Sequence, residues 1–382
     1  MTGEIPMDTE RARSLYTDLG AVPVINAMGN LTMLGGSSPS PTVRAAMTEA
    51  GRYYVDMDQL LQGSGRVVAD LLGCEAAMVT PGCAAALLLS TAACVAGDDP
   101  ELMAQLPDTS GLKGEVVIQA PQQYKYERVV RMAGVRLVAA GSANSCTAED
   151  LEASLGASTA AVLYPVLGGP QEGFLPLADV LAIAHDAGIP VIADAAYQVS
   201  PIEHFRQIAT CGADLIGFGA KYFGAPNSSG LLCGRRDLVE AARDHTFAAF
   251  ERRELPGYGR PMKIDRQEVV GVVTALREWL DPASQDERDE AASRRGRLLR
   301  DLLRDLAGTE LSPPEGDHVT GLRLRLTEVG MDGPALADRL RRGDPAIWAY
   351  AEGDSISFGM HTVQNGDEPA IAAAVKQSLG RS

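Results

Sequence analysis

The chain has 382 residues, 46% hydrophobic and 22% charged, and 50 acidic against 34 basic side chains leave a formal net charge of −16. That length suits two or three globular domains, and the composition is that of neither a disordered nor a fibrous chain. So acidic a surface repels phosphate backbones, and aromatics at 5% offer little for base stacking, so small-molecule chemistry is favoured over nucleic-acid binding.

The N-terminal stretch Met1 to Arg13 is polar and lacks the apolar core of a signal peptide, which points to a cytoplasmic protein. The six cysteines include no C-x-x-C pair, so no zinc site or other metal centre and no disulfide framework is expected. From about residue 75 to 235, short apolar runs alternate with helical patterns. The runs are Ala76 to Thr80, Val116 to Gln119, Val135 to Ala139, Ala160 to Tyr164, Pro190 to Ala193, Leu215 to Gly217 and Leu231 to Cys233. Strands so short and uniformly apolar are buried on both faces. Helical spacing fills Ala84 to Ala96, Tyr124 to Ala133, Ala148 to Leu155 and Leu177 to Ala187, with Gly134 and Gly188 where C-terminal caps belong. The run Cys83 to Ala96 is too short to span a membrane and reads as a buried helix. These alternations predict an α/β fold with a mostly parallel, doubly wound sheet between helices.

Past Arg236 the texture changes. Helical stretches Glu268 to Trp279 and Glu287 to Leu306 precede short strands Leu322 to Leu326 and Ile347 to Tyr350 and a last helix, Pro369 to Leu379. The expected organisation is an N-terminal arm over residues 1–25, a large domain over 26–265 and a smaller C-terminal α+β domain over 266–382. Pro282 and the charged run Gln285 to Glu290 read either as a hinge or as a solvated helix start.

Only five of the 34 basic residues are lysines, and Lys221 stands apart from Lys113, Lys125, Lys263 and Lys376. It follows the apolar strand at Leu215 among small residues. Desolvation there favours the neutral amine, which is the nucleophile a Schiff base requires; the alternative is a lysine snorkelling to a sheet edge. Asp194 ends the apolar run Val191 to Ala193, where it faces the carboxyl edge at which ligands of open α/β sheets bind. A carboxylate there suits the ring nitrogen of pyridoxal phosphate, and equally a helix N-cap. Third, Thr80-Pro81-Gly82-Cys83-Ala84 runs from a strand through a small-residue turn into the long apolar helix. Its free backbone amides make an anion site, without a Walker or G-x-G-x-x-G pattern.

At these residues the chain resembles the pyridoxal-phosphate enzymes related to selenocysteine synthase and D-glucosaminate-6-phosphate ammonia-lyase, within the aminotransferase-like fold type I superfamily. The matching segments are Val24 to Gly36, Val55 to Leu60, Met78 to Ala85, Asp194 to Gln198, Lys221 with Pro226 to Gly234, and Gly259 to Lys263. The resemblance implies a seven-stranded sheet and pyridoxal 5'-phosphate joined to Lys221, with Asp194 on the ring nitrogen. It also implies that Gly82, Cys83 and Ala84 hold the phosphate, that Tyr197 or Gln198 lies near the cofactor, and that Gln122 covers the ring face where relatives usually carry a histidine. A homodimer or larger assembly follows from the same resemblance, with Asn30, Arg260, Lys263 and His361 as substrate or partner-subunit contacts. A solvated loop is the other reading of Arg260 and Lys263, and a structural role that of His361.

Several positions depart from the family pattern. Phe218-Gly219-Ala220 replaces a serine and two glycines, Gly224 stands for an arginine, and Gly359-Met360-His361 replaces an aspartate, proline and arginine cluster. The implied activity is that of a lyase on an amino acid or amino sugar acid, through α-proton abstraction and β-elimination. A racemase or a C–C or C–S bond-forming transferase is the alternative, and a catalytically impaired cofactor-binding homologue the third reading.

Overall fold

The computed structural model describes residues 15–168, 172–314 and 320–380, so the first fourteen residues of the expected arm lie outside the described part. The chain divides into two compact units, Ser37–Asp281 and the segments up to Gly36 and from Pro282 onward.

The larger unit is built on seven strands. In chain order the first six are β2 (Ala76–Thr80), β3 (Glu115–Gln119), β4 (Arg136–Ala140), β5 (Thr159–Pro165), β6 (Val191–Asp194) and β7 (Leu215–Gly219), and the seventh is β8 (Gly230–Gly234); β1 (Val24–Ala27) belongs to the other unit. They lie in the order β2-β8-β7-β6-β5-β3-β4. All pairings are parallel except those of β8, which runs antiparallel to both β2 and β7. Each expected apolar run is one of these strands, displaced by a residue or two at most. Every residue of β2, β5, β6, β7 and β8 is buried, because helices cover both faces.

The helix Cys83–Ala96 is apolar nearly all round and packs against β5, β6, β7 and β8. A helix with that composition has no solvent face to offer and must lie inside the domain. The expected helix Tyr124 to Ala133 is instead a 3-10 turn, Lys125–Glu127, followed by one α-helical turn, Arg128–Arg131. Tyr124 therefore precedes it in extended backbone, φ −149° and ψ 164°.

The unit boundary falls at Pro282 rather than at residue 266. The helix Arg266–Leu280 packs on the helices Pro41–Ala50 and Met57–Leu72, and its Val269, Val272, Ala275 and Leu276 share one apolar cluster with Val43 and Leu61. Pro282 is the first residue of the helix Pro282–Leu303, a position its fixed φ and missing N–H suit, so the charged run Gln285 to Glu290 is helical and not a hinge.

The smaller unit carries a second sheet of β1 (Val24–Ala27), β9 (Thr309–Ser312), β10 (Gly321–Leu326), β11 (Ala346–Glu352) and β12 (Ser355–Gly359), in the order β1-β11-β12-β10-β9. Strand β1 pairs in parallel with β11, Ile25 opposite Ile347, so the end of the expected arm at residues 24 and 25 is a strand of this unit. Leu299, Leu303, Leu322, Leu324, Ile347, Phe358 and Ile371 form its core.

Candidate active site

The site assembles at the carboxyl edge of the large sheet, where the strands' last residues and the following turns lie together. Strand β2 leads into Gly82, whose φ of +90° only glycine adopts without strain, and Gly82 caps the helix Cys83–Ala96 with no side-chain bond to the first-turn amides. Those amides and the helix dipole leave an anion cradle. Its position depends on Gly230 across the sheet, where a Cβ would stand 2.5 Å from the Gly82 carbonyl carbon and 2.7 Å from the Cys83 nitrogen.

Asp194, the last residue of β6, lies opposite Gly217 of β7 and is 9% exposed. Its Oδ1 accepts from the Ala196 amide at 3.2 Å and from the Cys83 thiol at 3.5 Å, and its Oδ2 accepts from the Tyr124 hydroxyl. Burial pushes the Asp194 carboxyl up, partly opposed by the bonds from Tyr124, Ala196 and Cys83. Burial and then the neighbouring carboxylate push the Cys83 thiol and the Tyr124 phenol up as well, so both remain protonated donors. Asp194 is thus a ligand for donors at the sheet edge and not a helix N-cap, since the next helix, Ile202–Ala209, starts after Pro201.

Lys221 lies in the 3-10 turn Ala220–Phe223, which Gly224 closes at φ +81°. It is half-buried, its Nζ stands 4.9 Å from the centre of the Tyr222 ring, and desolvation lowers its pKa. The turn is clipped to the Asp194 loop by the Gly219 amide on the Ala196 carbonyl, 2.8 Å, and the Ala195 amide on the Gly217 carbonyl, 3.0 Å.

The remaining candidates divide. Gln122 is 1% exposed: its Oε1 accepts from Gln119 Nε2 at 3.0 Å, and its own amide donates to the Pro165 carbonyl at 3.2 Å. That saturated network holds the loop after β3, and Tyr124 is the residue from this segment that reaches Asp194. Gln198 is likewise engaged, donating to Val166 O at 2.9 Å and bonded through Oε1 to His204 Nε2 at 2.8 Å. Tyr197 is 45% exposed, accepts the Gly168 amide at 2.7 Å and meets Tyr222 edge-on at 6.3 Å. Arg260 pairs with Glu251 at 2.6 Å and lies over Phe250, while Lys263 is exposed in the loop ahead of Arg266. Asn30 and His361 belong to the smaller unit; Asn30 donates to the Gly36 carbonyl at 2.9 Å, and His361 is exposed just past β12.

A cavity of about 620 Å³ opens at the opposite, amino edge of the sheet, where Cys74, His185, Asp214 and Arg235 line it. None of the candidate residues borders it. Asp214 there is saturated by His185 at 2.9 Å, Arg235 at 2.7 Å and the Val191 amide at 2.8 Å, an ion cluster that ties strand ends together.

The model of the family described as "SelA: L-seryl-tRNA selenium transferase" matches residues 24–290. The chain belongs to the SelA family. Among its relatives, a D-glucosaminate-6-phosphate ammonia lyase of Salmonella typhimurium is 30% identical, the match covering 95% of this chain and 97% of that protein. A 5'-C-glycyluridine monooxygenase-decarboxylase of a Streptomyces species is 32% identical over 87% of this chain and 83% of its own. A solved D-glucosaminate-6-phosphate ammonia-lyase superposes with a TM-score of 0.85 at 28% identity, covering 100% and 99% of the two chains. A serine palmitoyltransferase solved with pyridoxal phosphate, at TM-score 0.56 and 15% identity over 94% and 88%, shares the fold. The architecture is that of the fold type I enzymes, as the sequence of this SelA-family chain predicts.

The residues present fit pyridoxal phosphate. Free amides at Cys83 and Ala84 match its phosphate, a buried carboxylate at Asp194 its ring nitrogen, and a desolvated amine at Lys221 its aldehyde.

Proposed function

We propose that this SelA-family chain is a pyridoxal-phosphate-dependent lyase that removes ammonia from an amino acid or amino sugar acid by β-elimination. The observation that carries it is the clipping of the turn that bears Lys221 to the loop after the buried Asp194, at the same sheet edge as the amides of Cys83 and Ala84 that open the long helix. The ammonia-lyase relative, matched over nearly its whole length, supplies the reaction class.

When bound, the cofactor supplies an electrophilic aldehyde and an electron-withdrawing ring. Lys221, whose pKa desolvation lowers, would hold that aldehyde, and its amine would take the proton from the substrate's α-carbon. The electron pair left behind forms the α,β double bond as the bond to the β-substituent breaks, and that group departs with its own pair. Water then replaces the nitrogen, giving a 2-keto product and ammonia. Asp194 would balance positive charge on the ring, and the turn at Gly82 to Ala84 would hold the phosphate end.

Of the implied contacts, Tyr197, Gln198 and Gln122 are proposed to shape the pocket wall, and Asn30, Arg260, Lys263 and His361 to meet substrate or a partner subunit in a homodimer or larger assembly. A cytoplasmic location belongs to the same proposal, and the net charge of −16 supports the absence of a nucleic-acid partner. No helix among the described residues is long and apolar enough to cross a membrane.

Incubation of the purified protein with pyridoxal phosphate and a panel of amino acids, amino sugar acids and their phosphates tests the proposal. Release of a 2-keto acid with stoichiometric ammonia is expected. Racemisation with solvent deuterium uptake redirects it to a racemase, release of carbon dioxide to a decarboxylase such as the Streptomyces relative's name describes, a new C–C or C–S bond to a transferase, and bound cofactor with no response to any amine to an impaired homologue.

A further inference from the structure

Asp194 draws its donors from three separate segments: Cys83 from the amide turn, Ala196 from its own loop and Tyr124 from the stretch after β3. The approach of Cys83 depends on Gly217, directly across the ladder from Asp194, where a Cβ would stand 3.1 Å from the Cys83 sulfur. Tyr124 is held by its extended backbone and by edge-on packing against Tyr126, 5.9 Å between ring centres. A carboxylate offers about four lone-pair directions. Three are filled, two on Oδ1 and one on Oδ2, so one on Oδ2 is left for a further N–H. Every donor to a carboxylate stabilises its charge and makes it a weaker proton acceptor.

We propose that Tyr124 and Cys83 are positioning residues that act through Asp194, leaving the ring nitrogen of bound pyridoxal phosphate less firmly protonated than a carboxylate without these donors would. This rests on the reading that Asp194 faces that nitrogen. A ring protonated less firmly withdraws electrons less strongly, so the pair freed at the α-carbon passes on to the β-substituent and is not stored for return of the proton. The phenol and the thiol thereby bias the site toward elimination and away from racemisation.

The test loads the full-length protein with pyridoxal phosphate labelled with ¹⁵N in the ring and follows the nitrogen's chemical shift with pH, alongside borohydride reduction and peptide mapping. Tyr124→Phe keeps the aromatic packing and removes one donor, Cys83→Ala removes the other, and Cys83→Ser replaces it with a stronger one. Tyr124→Phe and Cys83→Ala are each expected to raise the ring's protonation equilibrium by about three- to tenfold, and Cys83→Ser to leave it at or below the wild-type value. A merely structural role for these side chains would change folding stability and leave the nitrogen shift alone. An adduct at Lys221 with a shift that neither Tyr124→Phe nor Cys83→Ala moves overturns the inference by itself. An adduct at another lysine overturns the parent reading, and the inference falls with it. If Tyr124→Phe does not fold, the Cys83 pair decides the matter in the same terms.

Discussion

The Gly219 amide donates to the Ala196 carbonyl at 2.8 Å, and with the Ala195 amide on the Gly217 carbonyl this backbone bond joins the loop after the acid to the turn that carries the amine. Spacing between Asp194 and Lys221 is therefore a property of the main chain at the ends of β6 and β7, not of flexible side chains. Sites held by strand ends keep the geometry that catalysis needs, because the bonds fixing them are those of the sheet itself.

Lys221→Ala is expected to lower turnover by roughly a hundred- to ten-thousandfold, the range for loss of a positioned general base, and to abolish the borohydride adduct. The neutral amine is the active form and burial depresses its pKa, so the wild-type rate rises with pH through a limb lying below the 10.5 of an ordinary lysine. Rate profiles on wild type, with peptide mapping of both proteins, check this.

Gly230→Ala sets a methyl group against backbone atoms of Gly82 and Cys83 that have no room to move, at 2.5 and 2.7 Å. Overpacking of that kind costs about 1–3 kcal/mol, and here it displaces the amide cradle. Titration with pyridoxal phosphate should show markedly weaker binding. Gly217→Ala, whose nearest neighbour is the Cys83 sulfur at 3.1 Å, should weaken binding less.

Gln122→Ala separates a wall role from a cofactor contact. Removing this buried amide breaks its bonds to Gln119 and the Pro165 carbonyl, which keep Leu175 and the Leu167 amide as partners, so the expected cost is that of ordinary hydrogen bonds, about 0.5–1.5 kcal/mol each of folding stability. The absorbance band of the bound cofactor should keep its position. Denaturant melts and visible spectra of the variant read both.

His245 gives the large unit an acid-sensitive point. Its Nε2 donates to the Gly97 carbonyl at 3.0 Å, while Nδ1 is buried without a partner among the described residues. Burial holds its pKa below 6.5, so the unfolded chain takes up a proton that the folded one refuses. The stability this neutral form contributes is complete above pH 6.5 and is lost as pH falls below it, by at most about 1.4 kcal/mol per pH unit. His245→Gln should flatten that part of the stability profile between pH 7 and 5, whatever its effect at neutral pH.

The apolar runs made the large sheet legible, since strands covered on both faces must be uniformly hydrophobic. Gly82, Asp194 and Lys221 were legible for a related reason: a turn of small residues, an acid and an amine at strand ends have few structural uses. The partners of Gln122, Gln119 and the Pro165 carbonyl, were not legible, because residue type and position in the chain say nothing of them. Tyr124 escaped notice as the partner of Asp194 because the sequence placed it inside a helix, whereas the extended residue ahead of the 3-10 turn is what reaches across β5 to β6. Strands β1, β9 and β12 were hidden by brevity and by half-exposed residues, and the boundary at Pro282 by a helix whose packing partners, residues 41–72, lie two hundred positions earlier.

The reversed direction of β8 has a geometric consequence. A chain leaving β7 in an all-parallel sheet must cross over and re-enter at the far edge, whereas here it turns back within residues 220–229 and never departs from the edge where Lys221 sits. Lys221 and the turn at Gly82 therefore lie at one edge of the sheet, linked through one short return loop with no α-helix interposed. Changes in that loop's length can remodel this edge of the sheet while every strand keeps its neighbours.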